Sequence, residues 1–425
     1  MKTGHTRRLK LANWTIPFVY TVLTLAIGLS FPRFEHHFFP KMVSSMSPAA
    51  AMTICSSIAS GMIALTGIVF SLTIVMVQFS AIAYSPRLVM WVAREPVVSH
   101  ALGVFIATFL YALAMLAWVD RSDSGSVPFI SCWIVVGLLV ASMGMFVALI
   151  DRVGMLQIGR MLIFTGDQGR KAINKMYLSS EWAIGVAETK EIQKIPVRQT
   201  LVYAGRPRTV QAIDVQTLQE LANLSDALIE VVAAAGDTVI EMTPLLHVRG
   251  GNRQLDEAKL RGAIEIGGER TFEHDPKYAI RLIVDIAIKA LSPAINDPTT
   301  AVQALDQIED LLFRLGSCCL EKGVFRDVGG KLRLVIALPT WDDFLRLALD
   351  EIRSYGAGSV QVMRRMKALI ANLLVTLPPE RHPGLRKWEQ RVHASITRSF
   401  EDIAERQIAS VADRQGLGLG SGRQK

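Results

Sequence analysis

The stretch SSIASGMIALTGIVFSLTIVMVQFSAIAYSPRL, residues 56–88, lies inside 45 consecutive residues, 42–86, that carry no charge. A membrane helix needs about 20 apolar residues, so this window is about twice what one crossing requires. It is not uniformly apolar. Thr53, Ser57, Ser60, Ala64, Gly67, Ser71 and Gln78 recur at spacings of three, four and seven, which on a helix is one face. Small residues on such a face allow helices to approach closely in lipid, with hydroxyls bonding across the contact. The same face lines a wet path when several copies assemble around it. Both uses remain open from the residues alone.

Three further charge-free windows, 11–32, 96–119 and 127–150, are each long enough to span. The expected spans are therefore about 11–32, 48–84, 97–119 and 128–150, forming a transmembrane domain over 1–150. The first has a basic leader and an apolar core, but it is long and no A-x-A-like site follows it, so it is read as a retained span. At 1.5 Å per residue the second would reach roughly 50 Å, and must tilt or project. Pro86 is the expected end of it, because the residue before a proline disfavours the α region.

Lys2, Arg7, Arg8, Lys10, Arg87, Arg94, Arg152, Arg160, Arg170 and Lys171 fall on one side of these spans, against Arg33, Lys41 and Arg121 on the other. This asymmetry places both termini in the cytoplasm. The whole chain has 425 residues, is 50% hydrophobic and 20% charged, and carries a formal net charge of +8. That is too apolar for an ordinary soluble protein and too charged for one that is membrane throughout, so a split chain is expected. In such a chain the basic excess reports orientation and anionic lipid before nucleic acid, and no nucleic-acid partner is expected. The four cysteines form no C-x-x-C pair, so neither a zinc ribbon nor a redox motif is indicated, and reduced thiols are expected.

Beyond residue 150 the pattern changes. Residues 151–185 read as the fourth span continuing into a juxtamembrane helix, weakened by Gly166 and Gly169. Residues 186–250 read as a small β-rich module with one helix over 215–224. Residues 251–411 read as helical, with helices at 254–266, 276–291, 298–315, 342–355, 360–375 and 385–411 and one strand, KLRLVIALP, between them. Asp275, Asp297 and Asp342 stand where helix caps belong, the first two ahead of a proline at N1. Residues 412–425 are Gly-rich and expected to be disordered. The fold class is thus a membrane α-helical protein of four transmembrane helices, plus a cytoplasmic α+β domain.

Two motifs carry a family resemblance. TGIVFSLTIVMVQFSAIAYSPRL and GGERTFEHDPKYAIRLIVDIAIKALSPAINDPTTAVQALDQI resemble the bacterial membrane-protein family known as domain of unknown function 2254, over about residues 14–391. The resemblance implies a multi-pass membrane protein with a cytoplasmic C-terminal domain, and it supplies no catalytic residues. A second, local resemblance is to biotinyl/lipoyl-type barrels, carried by Gly236, Asp237, Val239, Pro244 and Leu245. It implies a small β-barrel-like module. No lysine sits in an attachment hairpin, so no cofactor is expected.

The densest polar set runs from Glu269 to Asp297. Arg281, Asp285 and Lys289 share a helix face at i, i+4, i+8. Arg270, Arg281, Asp285, Asn296 and Asp297 are candidate ligand contacts, with the arginines holding an anion. The structural alternative is an ion-pair ladder between two capped helix starts. FEHHF places Glu35, His36 and His37 together, but adjacent histidines do not share a helix face and no metal site is expected. No Walker loop, H-E-x-x-H or G-x-S-x-G occurs, and no catalytic residue is expected. The leading expectation is an oligomeric channel or pore-like protein regulated by its cytoplasmic domain, its partners being the bilayer and other copies of itself. Ser57, Ser60, Gly67, Ser71 and Gln78 are its pore-lining or helix-packing candidates. The alternative is a membrane-anchored sensor or scaffold.

Overall fold

A computed structural model describes residues 15–39, 42, 44–83, 96–121, 127–154, 157–178, 192–272, 275–320 and 323–417. The chain divides into two compact units, Met1–Gln157 and Ile158–Lys425. Pro86, Arg87 and Arg94 lie outside the described residues, as do Glu273 and His274.

The first unit consists of α1 (Thr15–Phe38), α2 (Pro48–Ala83), α3 (Pro96–Arg121) and α4 (Phe129–Gly154). All four are long and apolar enough to cross a membrane. At 36 residues α2 is about 54 Å long, well beyond a hydrocarbon core of about 30 Å. The hub is α3, which packs against each of the other three. Small residues make this possible: Ala101, Ala107 and Ala112 of α3 are fully enclosed beside Phe105, Tyr111 and Met115. Buried polar groups tie the helices together. Thr108 and Ser142 pair their hydroxyls at 2.8 Å between α3 and α4.

Glu35 is an addition to the sequence reading, which placed no carboxylate within a span. The charge-free window stops at residue 32, but α1 continues to Phe38 and carries Glu35 into the interior, 1% exposed. Its carboxylate accepts from the Ile130 and Ser131 amides at 2.6 and 2.9 Å and from the Ser131 hydroxyl at 2.6 Å. These amides are orphan donors of the first turn of α4, so one helix caps another.

The second unit opens with α5 (Ile158–Ile173), which closes in a π-turn, Asn174–Leu178. It packs on α8 (Pro276–Ala290) and α9 (Pro298–Gly316). The glycines that weaken it as a helix permit this contact: a Cβ at Gly169 would meet Leu311 at 2.9 Å and Ala279 at 3.0 Å.

Among the described residues eight strands follow: β1 (Val197–Val202), β2 (Arg208–Ile213), β3 (Ala227–Val231), β4 (Thr238–Val239), β5 (Pro244–Gly250), β6 (Ile264–Gly267), β7 (Val324–Arg326) and β8 (Leu332–Ile336). They form a five-stranded sheet of order β1-β5-β3-β8-β7 and a three-stranded sheet β4-β2-β6. The β3–β8 pair is parallel and the other pairs are antiparallel. Helices α6 (Val215–Leu224) and α7 (Glu257–Gly262) share a core with both sheets, through Leu218, Ile229, Leu246, Leu260 and Leu334. The helical layer continues with α10 (Trp341–Tyr355), α11 (Val360–Thr376), α12 (His382–Ser399) and α13 (Ile403–Ser410).

Several expectations need correction. The strands close no barrel among the described residues: β8 joins β3 from about a hundred residues downstream and leaves β7 as an open edge. The β layer therefore takes strands from beyond residue 250. The helix expected over 254–266 is α7 followed by β6, because residues 264–267 pair with β2. Asp342 is not the cap of α10; Thr340 is, in a capping box with Asp343. Residues 412–417 are placed rather than loose: the Gln361 amide donates to the Gly416 carbonyl at 2.5 Å, and Asp413 faces Arg364 at 3.7 Å, both 5% exposed.

Replacing Glu35 by Ala strands three donors in the interior and is expected to destabilise the first unit by about 2–3 kcal/mol. Glu35→Gln keeps an acceptor oxygen and costs less. Unfolding of the purified full chain in detergent reads the difference, and two equal variants would contradict the capping role.

Candidate functional site

The stripe on α2 faces away from its own unit. Ala51, Cys55, Ala59, Met62, Val69 and Met76 form the buried side of the helix. Thr53, Ser57, Ser60, Ala64, Gly67, Ser71 and Gln78 are all exposed. At 100° per residue the two faces are centred about 170° apart. Space around Gly61 and Gly67 is open. The polar face is therefore not what packs α2 onto α3. Threonines nearer the inside satisfy themselves, Thr66 and Thr73 donating to the Met62 and Val69 carbonyls at 2.7 and 2.8 Å. On α4 a comparable face, Gly137, Ala141, Gly144 and Ala148, is likewise exposed.

The five candidate ligand contacts do not converge. They are strung along α8, whose 15 residues span about 22 Å. At its start Arg270 donates to the Gly236 carbonyl. Midway, Arg281 binds Asp285 and grips both oxygens of Glu351 on α10. The Glu351 and Asp285 carboxylates raise the Arg281 pKa despite its partial burial. At the far end Asp297 caps α9, accepting from the Thr300 amide at 3.1 Å and its hydroxyl at 2.5 Å. Asn296 is exposed and holds a left-handed turn, φ +49°. This is a ladder with a cap, and its charges are spent on one another.

What the sequence reading passed over is Asp275. It stands at the N-cap position of α8 but makes no capping bond. Its side chain turns inward instead, 2% exposed, and packs over Gly236, whose φ of +88° and bare Cα leave it room. Neither carboxylate oxygen has a hydrogen-bond partner among the described residues. Burial raises its pKa, against the opposing pull of Lys277 and Arg270. Asp275 lines an enclosed cavity of about 20 Å³, walled by Met176, Tyr177, Ile213, Ala234, Ile336 and Leu338. Ala234, Lys277 and Ala337–Pro339 also border a wide groove of about 530 Å³ that reaches Asp343, Asp350 and Glu351. No spacing rule marks Asp275 as distinct from Asp297, since both precede a Pro at N1.

The sign of its pH dependence is set by this burial. A carboxyl whose folded pKa lies above its unfolded value, near 3.8, contributes stability below that value. The contribution is lost as pH rises through the folded pKa. The groups facing it are Asp237, Arg270, Lys277 and Tyr177. Asp275→Asn is thus expected to match the parent below about pH 4 and to exceed it at pH 7. Paired unfolding curves across this range test it, and a variant weaker than its parent at pH 7 contradicts it.

Among known proteins, the family described as predicted membrane protein (DUF2254) matches residues 11–372. Uncharacterized proteins of Mycobacterium bovis and of Mycobacterium tuberculosis strain H37Rv are each 26% identical to the chain over 410 residues. The match covers 93% of this chain and 78% of each relative. No solved structure matches it.

Proposed function

We propose, from the premise that this chain belongs to the DUF2254 family of predicted membrane proteins, that its copies associate through the outward polar face of α2 and enclose a channel-like path there. The protein sits in the bacterial inner membrane with both termini cytoplasmic, as the distribution of Lys and Arg favours, and its α+β unit governs the path. The observation that carries this reading is the direction of the stripe. Seven small or polar residues at helical spacing are exposed, opposite the face by which α2 packs. In hydrocarbon a hydroxyl such as that of Ser60 or Ser71 gains nothing from lipid; protein or water meets it at least cost. The absence of charge along residues 42–86 leaves no titratable group on the stripe itself, which favours passive passage along it.

The cavity at Asp275 favours a second reading, in which the α+β unit binds a ligand and the helices anchor it. Neither reading includes a chemical reaction.

The two differ in how wet the stripe is. Single cysteines at Ser57, Ser60, Gly67, Ser71 and Gln78, in a background lacking Cys55, Cys132, Cys318 and Cys319, are to be probed in intact membranes with an impermeant thiol reagent. Labelling at this spacing through the length of α2 is the expected result. Protection of all positions but Gln78 would overturn the channel and leave the anchored sensor.

A further inference from the structure

The polar groups of the second unit are nearly all spent in pairs: Arg281 with Asp285 and Glu351, Arg170 with Asp310, Arg365 with Asp306 and Glu309. Among the described residues Asp275 is a buried carboxylate outside these pairs. Among the described residues neither oxygen of this carboxylate, 2% exposed, makes a hydrogen bond of good geometry, and what offsets its burial is the pull of Lys277, Arg270 and the Tyr278 amide. The carboxylate lines a cavity that leads toward an open groove.

We propose that this cavity binds a primary alkylammonium, its NH3⁺ group against Asp275 and its hydrocarbon stem running past Ala234, Ala337 and Leu338 into the groove. Three features select this class. The unmet groups are acceptors, so the ligand must donate, and a compact cation donates most strongly to a carboxylate. The whole cavity, about 20 Å³, suits a group the size of one water molecule, which admits an ammonium and excludes a ring or a planar guanidinium. Most of the lining side chains are aliphatic, with Tyr177 and Lys277 beside them. The larger groove gives the remainder of the molecule room, with Asp343, Asp350 and Glu351 along it.

The neighbouring cations are held aside. Arg270 is bound to the Gly236 carbonyl, and the Lys277 ammonium lies 4.0 Å from Asp237. Gly236 is part of the site by what it lacks, since any Cβ there would collide with the Asp275 carboxylate. This inference stands independently of how α2 is used.

The test uses the full chain in detergent, with n-butylamine, n-butanol and n-butyrate as probes at equal concentration, pH 7 and matched ionic strength. Butylammonium is expected to raise the melting temperature of the parent saturably, and the other two are not. Asp275→Asn, compared with its own ligand-free baseline, loses the shift. Ala337→Leu, which narrows the mouth and leaves the carboxylate in place, weakens binding tenfold or more. No saturable shift, an equal shift with butanol, or an undiminished shift in Asp275→Asn would overturn the proposal and leave a cavity that holds only water.

Discussion

A polar group inside a bilayer has no water to turn to, so it is satisfied by protein or it is costly. That constraint organises the first unit. Glu35 is tolerated because three donors at the start of α4 converge on it. Thr108 and Ser142 are tolerated because they hold one another, and the threonines of α2 because they bond within their own helix. Against this background the outer face of α2 is the exception. The Thr53 hydroxyl donates to the Ala49 carbonyl at 2.8 Å, while the serine hydroxyls and the Gln78 amide are exposed. The packing of α2 onto α3 uses the opposite side, with Ala51, Cys55, Ala59 and Met62, and needs nothing from the stripe.

In the second unit the organising contact is the parallel pairing of β3 with β8. It brings the segment Ala337–Pro339, which leaves β8, beside Ala234, which leaves β3. Those two exits, the start of α8 and the π-turn after α5 form the walls around Asp275. The cavity is thus a product of long-range pairing, while the carboxylate in it comes from a local turn. A small barrel would have formed no such junction.

Much of the fold was legible from pattern. Four uncharged windows became four helices, and α8 and α9 begin at the prolines that announce them. What pattern conveyed poorly was direction and pairing. Periodicity assigned Ser57, Ser60, Gly67 and Ser71 to one face but could not say which way it turns, since small residues serve inside and outside alike. Residues 264–267 were absorbed into a helix because a four-residue strand has too few positions to establish a period of two. Asp275 and Asp297 share the same Asp-Pro start, and only tertiary packing decides that one caps its helix and the other turns into the core. The polar cluster around Arg281 was visible as residues, yet its pairing to Glu351 on α10 depends on a contact 70 positions away.

The central claim is that the stripe of α2 is where copies meet. Oxidative cross-linking in native membranes tests it most directly, with single cysteines at Ser60 and Gly67 on the stripe and at Met62 on the buried side, all in a cysteine-free background. The account predicts covalent dimers from positions 60 and 67 and none from 62. Monomers alone at 60 and 67, or equal cross-linking at all three, would contradict it.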